Sequence, residues 1–122
     1  MSKKVLLVDD EVMVLELAKK KLQNSGYDII TAANGQEALH ILENNSPDCI
    51  VLDIQMPVMN GYTFLLELEK RHIYHKIPIL VLTAYDAMEP IFKRHNIKGY
   101  ILKPLKLEEL VEKVKDILGA PV

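Results

Sequence analysis

Short apolar runs alternate along this chain with stretches of helical periodicity. The clearest runs are residues 5–8, 49–52 and 79–82, which are rich in β-branched residues and flanked by polar or turn residues. Such runs are typical of strands that are buried on both faces. Residues 28–32 and 99–102 are weaker candidates for two more strands.

Between the runs, apolar residues recur at the spacing of amphipathic helices that pack one face on a core. Polar residues mark the ends of these helices: Asn34 with Glu37 matches a capping box, Asn60 can open the next helix, and Ser25 with Gly26 can close the first. The stripes are Val14, Leu17, Ala18 and Leu22; Ala38, Ile41 and Leu42; Gly61, Phe64, Leu65 and Leu68; and Leu107, Leu110, Val111, Val114, Ile117 and Leu118.

The order of these elements predicts the fold. Five strand–helix repeats favour a parallel sheet with helices on both faces. The 122 residues fit one domain, whereas a closed barrel of eight units needs a chain about twice as long. Because parallel crossovers are right-handed, we expect a doubly wound α/β sheet with the strand order 2-1-3-4-5, formed by residues 1–122 as one domain.

Composition excludes several classes of function. The chain is 49% apolar and 26% charged, and its net charge of −2 gives no global field that would attract nucleic acid or an anionic membrane. Its apolar runs are far shorter than a membrane span, which needs about 20 residues, and two acids cut the first run short of a signal-peptide core. We therefore expect a cytoplasmic protein in which the single Cys49 is a buried small hydrophobe.

Polar side chains follow the predicted strands at their carboxyl ends. Asp9 and Asp10 follow the first strand, Asp53 the third, Thr83 the fourth and Lys103 the fifth. Ligands of open α/β sheets bind at this edge, where the strand order reverses. Strands 1 and 3 are neighbours in the expected order, so their three carboxylates should share one crevice, with Thr83 and Lys103 on its far side.

Three carboxylates in one crevice repel one another. Each like-charge pair about 4 Å apart costs on the order of 4 kcal/mol at an effective dielectric of about 20. A small hard dication with oxygen ligands offsets this cost, and Mg²⁺ is the expected ion. An acidic half that holds a metal, opposite a half with lysine and threonine donors, suits a phosphoryl group.

Each crevice residue has a simpler explanation when it is taken alone. Asp9 and Asp10 are explained equally well as helix caps favoured by the helix dipole. A lone Asp53 is more often a cap or turn residue, and a lone Lys103 is most often a solvated surface lysine. What favours the phosphoryl site is that four strand ends supply the residues that one chemistry needs.

Four segments carry a resemblance to a known family. They are VLLVDDE, VLDIQMPVMNGYTFL, ILVLTAY and YILKPL, in this order and each at the end of a predicted strand. Together they resemble the receiver domain of bacterial two-component response regulators, which has a flavodoxin-like fold, over essentially the whole chain. The resemblance implies a signalling switch that accepts a phosphoryl group and thereby changes a surface that a partner recognises.

The resemblance also implies roles for the acidic residues. Asp53 matches the phosphoacceptor, which attacks a phosphohistidine or a small acyl phosphate to give an aspartyl phosphate. Asp9 and Asp10 match the acid pair that holds Mg²⁺ together with Asp53. The backbone carbonyl of Gln55 matches the remaining protein ligand.

The far side of the crevice matches the family in the same way. Lys103 matches the lysine that pairs with a phosphoryl oxygen, and Thr83 matches the hydroxyl residue that moves to bind another. Ala84 matches a small position that leaves the phosphoryl group room. Tyr100 matches the switch aromatic that turns inward, and the peptide bond from Lys103 to Pro104 is cis in the family.

The resemblance implies the partners as well. The donor is expected to be a sensor histidine kinase or a phosphotransfer protein, and the output a downstream protein target or a missing effector domain. Direct binding of nucleic acid and membrane insertion are not expected. The module would catalyse only its own aspartyl phosphorylation and dephosphorylation.

Two other functions compete with this interpretation. The first is a receiver scaffold used only for binding, against which the complete set of site residues argues. The second is a metal-dependent phosphatase with an aspartyl nucleophile; such enzymes typically carry a second Asp two residues later, where this chain has Gln55. Phosphate-binding G-x-x-x-x-G-K-[ST] and dinucleotide-binding G-x-G-x-x-G motifs do not occur in the chain.

The segment before the last strand departs from the family. It is slightly shorter than usual, and Pro90 falls within the stretch expected to form a helix there, which predicts a short or shifted helix. Tyr85 is expected to shield the phosphoryl group from water. The histidines show no metal-ligand spacing and are expected at the surface: His40, His72, His75 and His95.

Overall fold

Five parallel strands form one sheet in the order β2-β1-β3-β4-β5 in the computed structural model, which describes residues 3–55, 59–71, 77–84 and 97–120. The strands are β1 Lys4–Val8, β2 Asp28–Ala32, β3 Cys49–Asp53, β4 Ile79–Thr83 and β5 Ile97–Leu102. The helices in the described ranges are α1 Val12–Asn24, α2 Gly35–Leu42, α3 Gly61–Lys70 and α4 Leu107–Leu118. The predicted doubly wound architecture and strand order are confirmed.

Alternate residues of the central strands supply two hydrophobic cores, one on each face of the sheet. Leu6 and Leu52 pack under α2 and α3, whereas Leu7 and Val51 pack under α1 and α4. Cys49 belongs to the second core, where burial raises the pKa of its thiol to about 12. Its interpretation as a buried small hydrophobe is confirmed, and the strands are buried on both faces because helices cover both.

The ends of the helices lie where the polar residues predicted them. Asn34 accepts a hydrogen bond from the Glu37 amide at 2.8 Å and begins α2. Asn60 does the same for the Thr63 amide at 2.9 Å and begins α3. Ser25 closes α1. The Asn34 and Asn60 side chains thus satisfy amide groups that a helix start otherwise leaves without partners.

The stripe predicted for α1 is partly wrong. Leu15, Ala18 and Leu22 are its buried residues, whereas Leu17 is 54% exposed. The segment VMVLEL carries more apolar residues than one helical face can hold, so spacing alone did not decide which of them meet the sheet. In α2, Leu39 joins the core and Ile41 is only half-buried.

The stripes of α3 and α4 agree with their predictions. Gly61, Phe64, Leu65 and Leu68 are all buried in α3, and Leu110 and Val114 are buried in α4. No described helix is long and apolar enough to cross a membrane.

Several sequence predictions fall on residues outside the described ranges. These are the shielding role of Tyr85, the helix containing Pro90, and the positions of His72, His75 and His95. The fourth histidine, His40, is described and exposed, as expected.

Candidate functional site

The polar residues predicted at the strand ends meet at the carboxyl edge of the sheet. Asp53 and Thr83 are the last residues of β3 and β4, and Asp9 and Lys103 directly follow β1 and β5. Backbone hydrogen bonds continue the ladders past the strands, since the Asp9 amide donates to Ala32 at 3.1 Å and the Lys103 amide donates to Thr83 at 2.8 Å. The sheet itself therefore fixes where these side chains start.

Asp53 is fully buried, and its two carboxylate oxygens differ in their environment. Oδ1 accepts hydrogen bonds from the Lys103 Nζ at 2.9 Å and from the Gln55 amide at 2.9 Å. Oδ2 is buried and has no hydrogen-bond partner in the described part of the chain. Since a buried unpaired carboxylate oxygen is costly, Oδ2 is the oxygen of Asp53 that is available for a new bond.

Two more carboxylates stand beside Asp53. One oxygen each of Asp9, Asp10 and Asp53 can be chosen so that all lie within 4.8 Å of one another. Asp9 is 4% exposed, and Asp10 is more exposed than either of the other two. Oxygen ligands in this number and spacing fit a small hard dication such as Mg²⁺.

The environment of Asp9 makes its charged form less favourable than that of an ordinary aspartate. Burial raises the pKa of the Asp9 carboxyl to about 6, and the charge of Asp53 adds to the rise. The hydrogen bond from the Glu11 amide, at 2.9 Å, and the charge of Lys103 act in the opposite direction. A buried carboxylate next to another carboxylate is the arrangement that a bound cation would relieve.

Neither Asp9 nor Asp10 is the N-cap of α1. That position is taken by Glu11, whose side chain makes no capping hydrogen bond. Asp9 accepts its bond from the Glu11 amide, two residues ahead, as in an Asx turn. This bond does not make Asp9 the N-cap of α1, so the cap explanation does not account for Asp9.

The far side of the crevice carries the Lys103 ammonium group, with Thr83 and Ala84 on the neighbouring strand end. Lys103 reaches Asp53 with a side chain that is 24% exposed, and its peptide bond to Pro104 is cis, as the resemblance implies. Thr83 is buried, and Ala84 and Gln55 are exposed. The structure thus brings Asp9, Asp10, Asp53 and Lys103 together, with Thr83 at the end of the neighbouring strand.

Tyr100 lies apart from this cluster. It is half-buried, packs against the core under α2 and α3, and is aligned with Val81, whereas Thr83 is aligned with Leu102. Tyr100 therefore lies two residues before Leu102, the β5 residue that pairs with Thr83.

Sequence reasoning missed the surface beside the site. A groove of about 620 Å³ runs from Asp9 and Lys103 along α1 to the start of α4. The signal that could have found it is the VMVLEL segment, because its surplus apolar residues had to remain at the surface. The residues lining the groove are Asp9, Glu11, Val14, Leu17, Leu82, Lys103, Pro104, Leu105 and Leu107.

Sequence comparisons relate the chain to a family of signalling proteins. Residues 5–115 match the family model of the response regulator receiver domain. The chain is 39% identical over 120 residues to the alkaline phosphatase synthesis transcriptional regulatory protein PhoP of Bacillus subtilis, covering 97% of this chain and 49% of that protein. It is 38% identical over 119 residues to the transcriptional regulatory protein PrrA of Mycobacterium tuberculosis, covering 96% and 50%. The chain spans about half the length of these curated relatives.

Solved structures with the same fold cover nearly the whole chain. Chemotaxis protein CheY4 of Vibrio cholerae superposes with a TM-score of 0.88 at 33% identity, covering 96% of this chain and 99% of that one. Response regulator TrrA of Thermotoga maritima, solved in complex with Mg²⁺-BeF, gives a TM-score of 0.81 at 37% identity, covering 94% and 98%.

Proposed function

Since the chain belongs to the response regulator receiver domain family, we propose that it is the phospho-accepting switch of a two-component system, with residues 1–122 acting as one receiver domain. The observation that carries this proposal is the state of Asp53. Its carboxylate is fully buried beside two more carboxylates, one of its oxygens is held by two donors, and the other has no partner in the described residues.

Asp53 acts as the nucleophile through Oδ2. Oδ1 is already bound by Lys103 and by the Gln55 amide, which leaves the Oδ2 lone pairs free to attack. A bond forms between Oδ2 and the phosphorus of the donor, while the bond from phosphorus to the donor's imidazole nitrogen breaks and its electron pair stays on that nitrogen. The product is an aspartyl phosphate, and a small acyl phosphate can replace the phosphohistidine.

The acidic residues are the proposed Mg²⁺ ligands. Asp9, Asp10 and Asp53 would hold the ion with the backbone carbonyl of Gln55, and the spacing of the three carboxylates supports this assignment. When bound, Mg²⁺ would supply positive charge that offsets the negative charge of the carboxylates and of the phosphoryl group. The rotation of Asp53 is restrained by its two donors, which keeps the nucleophile in one orientation.

Lys103 and Thr83 are proposed to bind the phosphoryl oxygens. The Lys103 Nζ already lies 2.9 Å from the Asp53 carboxylate, so it can stay paired as the negative charge moves onto the phosphoryl group. Thr83 would bind a second oxygen after a shift, beside the small Ala84. We expect an inward turn of Tyr100 to follow. Phosphorylation favours the active arrangement only to the extent that Lys103 and Thr83 bind the phosphoryl group better in that arrangement.

The donor is proposed to be a sensor histidine kinase or phosphotransfer protein that docks over the groove beside α1. Val12, Met13 and Leu17 are 67%, 79% and 54% exposed, and Leu17 lines the groove that reaches Asp9 and Lys103. Because the groove reaches Asp9 and Lys103, a donor bound there would hold its phosphohistidine close to Asp53. Exposed apolar side chains next to a reaction site favour a protein partner.

The output is proposed to pass to a downstream protein or an effector domain rather than to nucleic acid contacted by this domain. PhoP and PrrA are named as transcriptional regulatory proteins and are about twice as long as this chain. On this proposal the protein works in the cytoplasm and catalyses only its own phosphorylation and dephosphorylation.

Intact-protein mass spectrometry tests the proposal after incubation with acetyl phosphate, with and without Mg²⁺. We expect one phosphoryl adduct that needs Mg²⁺ and is absent from Asp53→Asn. Asp116→Asn, a change at an exposed aspartate on α4, serves as the matched control and should be phosphorylated like the wild type.

Other outcomes of this experiment favour the competing functions. An adduct that persists in Asp53→Asn would assign the chemistry to another residue. No adduct with acetyl phosphate or with a panel of autophosphorylated histidine kinases would favour a scaffold used only for binding. Turnover of an added phosphoester such as p-nitrophenyl phosphate would favour the phosphatase.

A further inference from the structure

The start of α3 packs closely against the backbone that follows Asp53. A Cβ placed on Gly61 would lie 2.6 Å from the Ile54 Cα and 3.1 Å from the Asp53 carbonyl oxygen. The Gly61 amide also donates a hydrogen bond to the Ile54 carbonyl at 2.9 Å. Residue 54 therefore follows any displacement of residue 61, because there is no free space between them.

The start of α2 presses on the same segment from another direction. Gly35 is the first residue of α2, and a Cβ there would lie 2.9 Å from the Cγ and 3.1 Å from the backbone oxygen of Met59. Asn34 fixes this helix start by capping it. Met59 directly precedes Asn60, the N-cap of α3. A side chain at position 35 would therefore push the backbone through which α3 begins.

These contacts form a continuous path to the nucleophile. A Cβ on Gly35 would meet Met59, and Met59 is two residues from Gly61. Gly61 is hydrogen-bonded to Ile54, and the next amide along the chain, that of Gln55, donates to Asp53 Oδ1 at 2.9 Å. The step at Gly61 involves the Ile54 backbone, whereas the step at position 35 involves the Met59 Cγ and Sδ together with the Met59 backbone oxygen.

We propose that Gly35 is a positioning residue for the phosphorylation site, acting through Met59 and Gly61 on the Gln55 amide and carbonyl. The inference rests on the proposed function only where it concerns Mg²⁺ and phosphorylation. Its structural part is that the start of α2, which precedes β3 in the chain, determines the position of residues 54 and 55. Small errors in such placement are costly, since groups around a metal ligand typically change its affinity about 10-fold to 100-fold.

Gly35→Ala tests the proposal, with Gly99→Ala as the matched control. Among the described residues, a Cβ on Gly99 would meet only the Leu80 Cδ1, at an ordinary distance of 3.6 Å. In the metal-free protein we expect the amide resonance of Gln55 to shift in Gly35→Ala and to stay in place in Gly99→Ala. Calorimetric titration should show Mg²⁺ affinity about tenfold weaker in Gly35→Ala, and phosphorylation by acetyl phosphate should slow in proportion.

Met59→Ala distinguishes positioning from general destabilisation. It removes the Cγ and Sδ atoms that a Cβ on Gly35 would meet at 2.9 and 3.0 Å. We expect Gly35→Ala to change the Gln55 resonance and Mg²⁺ affinity far less in the Met59→Ala background than in the wild type. If Gly35→Ala does not fold, Met59→Ala alone should still weaken Mg²⁺ binding, because it breaks the same path.

The outcomes separate this inference from the proposed function. An unshifted Gln55 resonance in Gly35→Ala, or equal effects of Gly35→Ala in both backgrounds, would overturn the positioning role. A wild type that binds no Mg²⁺ would instead contradict the proposed function. The Gln55 resonance would then still decide whether Gly35 positions this segment.

Discussion

Asp9 and Asp53 are both buried carboxylates at one edge of the sheet, yet they have different partners. Asp53 is held by Lys103 and by the Gln55 amide, whereas Asp9 accepts a hydrogen bond from the Glu11 amide. Burial and the Asp53 charge together raise the pKa of Asp9 to about 6. A site arranged in this way is electrostatically incomplete without a cation, so the free protein is less stable than its fold would allow.

Asp9→Asn should stabilise the metal-free protein. The amide oxygen of Asn can still accept the Glu11 hydrogen bond, while the buried charge is removed. A carboxyl whose pKa rises from 3.8 to about 6 on folding destabilises the folded state as pH rises between these values. We expect urea unfolding at neutral pH to show a gain on the order of 1 to 3 kcal/mol, with no gain in acid below both pKa values.

Two controls accompany this measurement. Asp116→Asn, at an exposed position on α4, should leave the free energy of unfolding nearly unchanged at both pH values. Added Mg²⁺ should stabilise the wild type more than Asp9→Asn, because the ion binds the folded state through the carboxylate. An equal gain in acid and at neutral pH would show that the charge of Asp9 is not the cause.

At the scale of elements, α1 has apolar residues on two sides. Leu15, Ala18 and Leu22 pack on the sheet, while Met13 and Leu17 are exposed. A helix needs only one apolar face to pack against the sheet, so the second apolar face of α1 is available for contact with another molecule. Its position along the groove beside Asp9 and Lys103 connects it to the donor in the proposed function.

Leu17→Gln should slow phosphotransfer from a protein donor but not from acetyl phosphate. Truncating an apolar contact residue typically costs more than about 1 kcal/mol where it is central to an interface, so we expect the transfer rate from a phosphorylated histidine kinase to fall about fivefold or more. The acetyl phosphate rate and the free energy of unfolding should stay near those of the wild type, because Leu17 is exposed.

Leu66→Gln is the matched control for this experiment. Leu66 is 41% exposed on α3, which covers the opposite face of the sheet. It should leave both phosphorylation rates unchanged. Equal rates from the protein donor for Leu17→Gln and the wild type would contradict docking over this groove.

At the scale of the whole molecule, the two edges of the sheet have different tasks. The carboxyl edge carries the proposed site, and the amino edge ties the end of α4 to earlier parts of the chain. The Tyr27 hydroxyl donates to the Gly119 carbonyl at 3.0 Å, and the Lys3 ammonium donates to the Leu118 carbonyl. A lysine at these last carbonyls also interacts favourably with the helix dipole.

Tyr27→Phe should lower stability without affecting the site. The ring stays in its core while one hydrogen bond to Gly119 is lost, which costs about 1 kcal/mol. Urea unfolding should show this loss, and acetyl phosphate should label Asp53 at the wild-type rate because Tyr27 lies at the opposite edge of the sheet. An unchanged free energy of unfolding would indicate that water replaces the hydroxyl without cost.

The sequence by itself determined the class of fold, the strand order and the edge at which the polar residues gather. Hydrophobic periodicity reports which side of each element is buried, and right-handed crossovers leave few arrangements of five strand–helix repeats. The caps at Asn34 and Asn60 were also readable, because a cap acts within a few residues. The family was readable for a related reason, since its motifs lie in short segments.

Only the tertiary structure decided which atoms meet. Spacing could not tell whether Leu15 or Leu17 faces the sheet, because α1 has more apolar residues than its core face holds. Nor could spacing show that Lys103 binds Oδ1 of Asp53 rather than Oδ2. It also could not show that a Cβ on Gly35 would meet Met59. Such contacts join residues far apart in the chain, and their distances depend on how packed elements settle against one another, which no local pattern encodes.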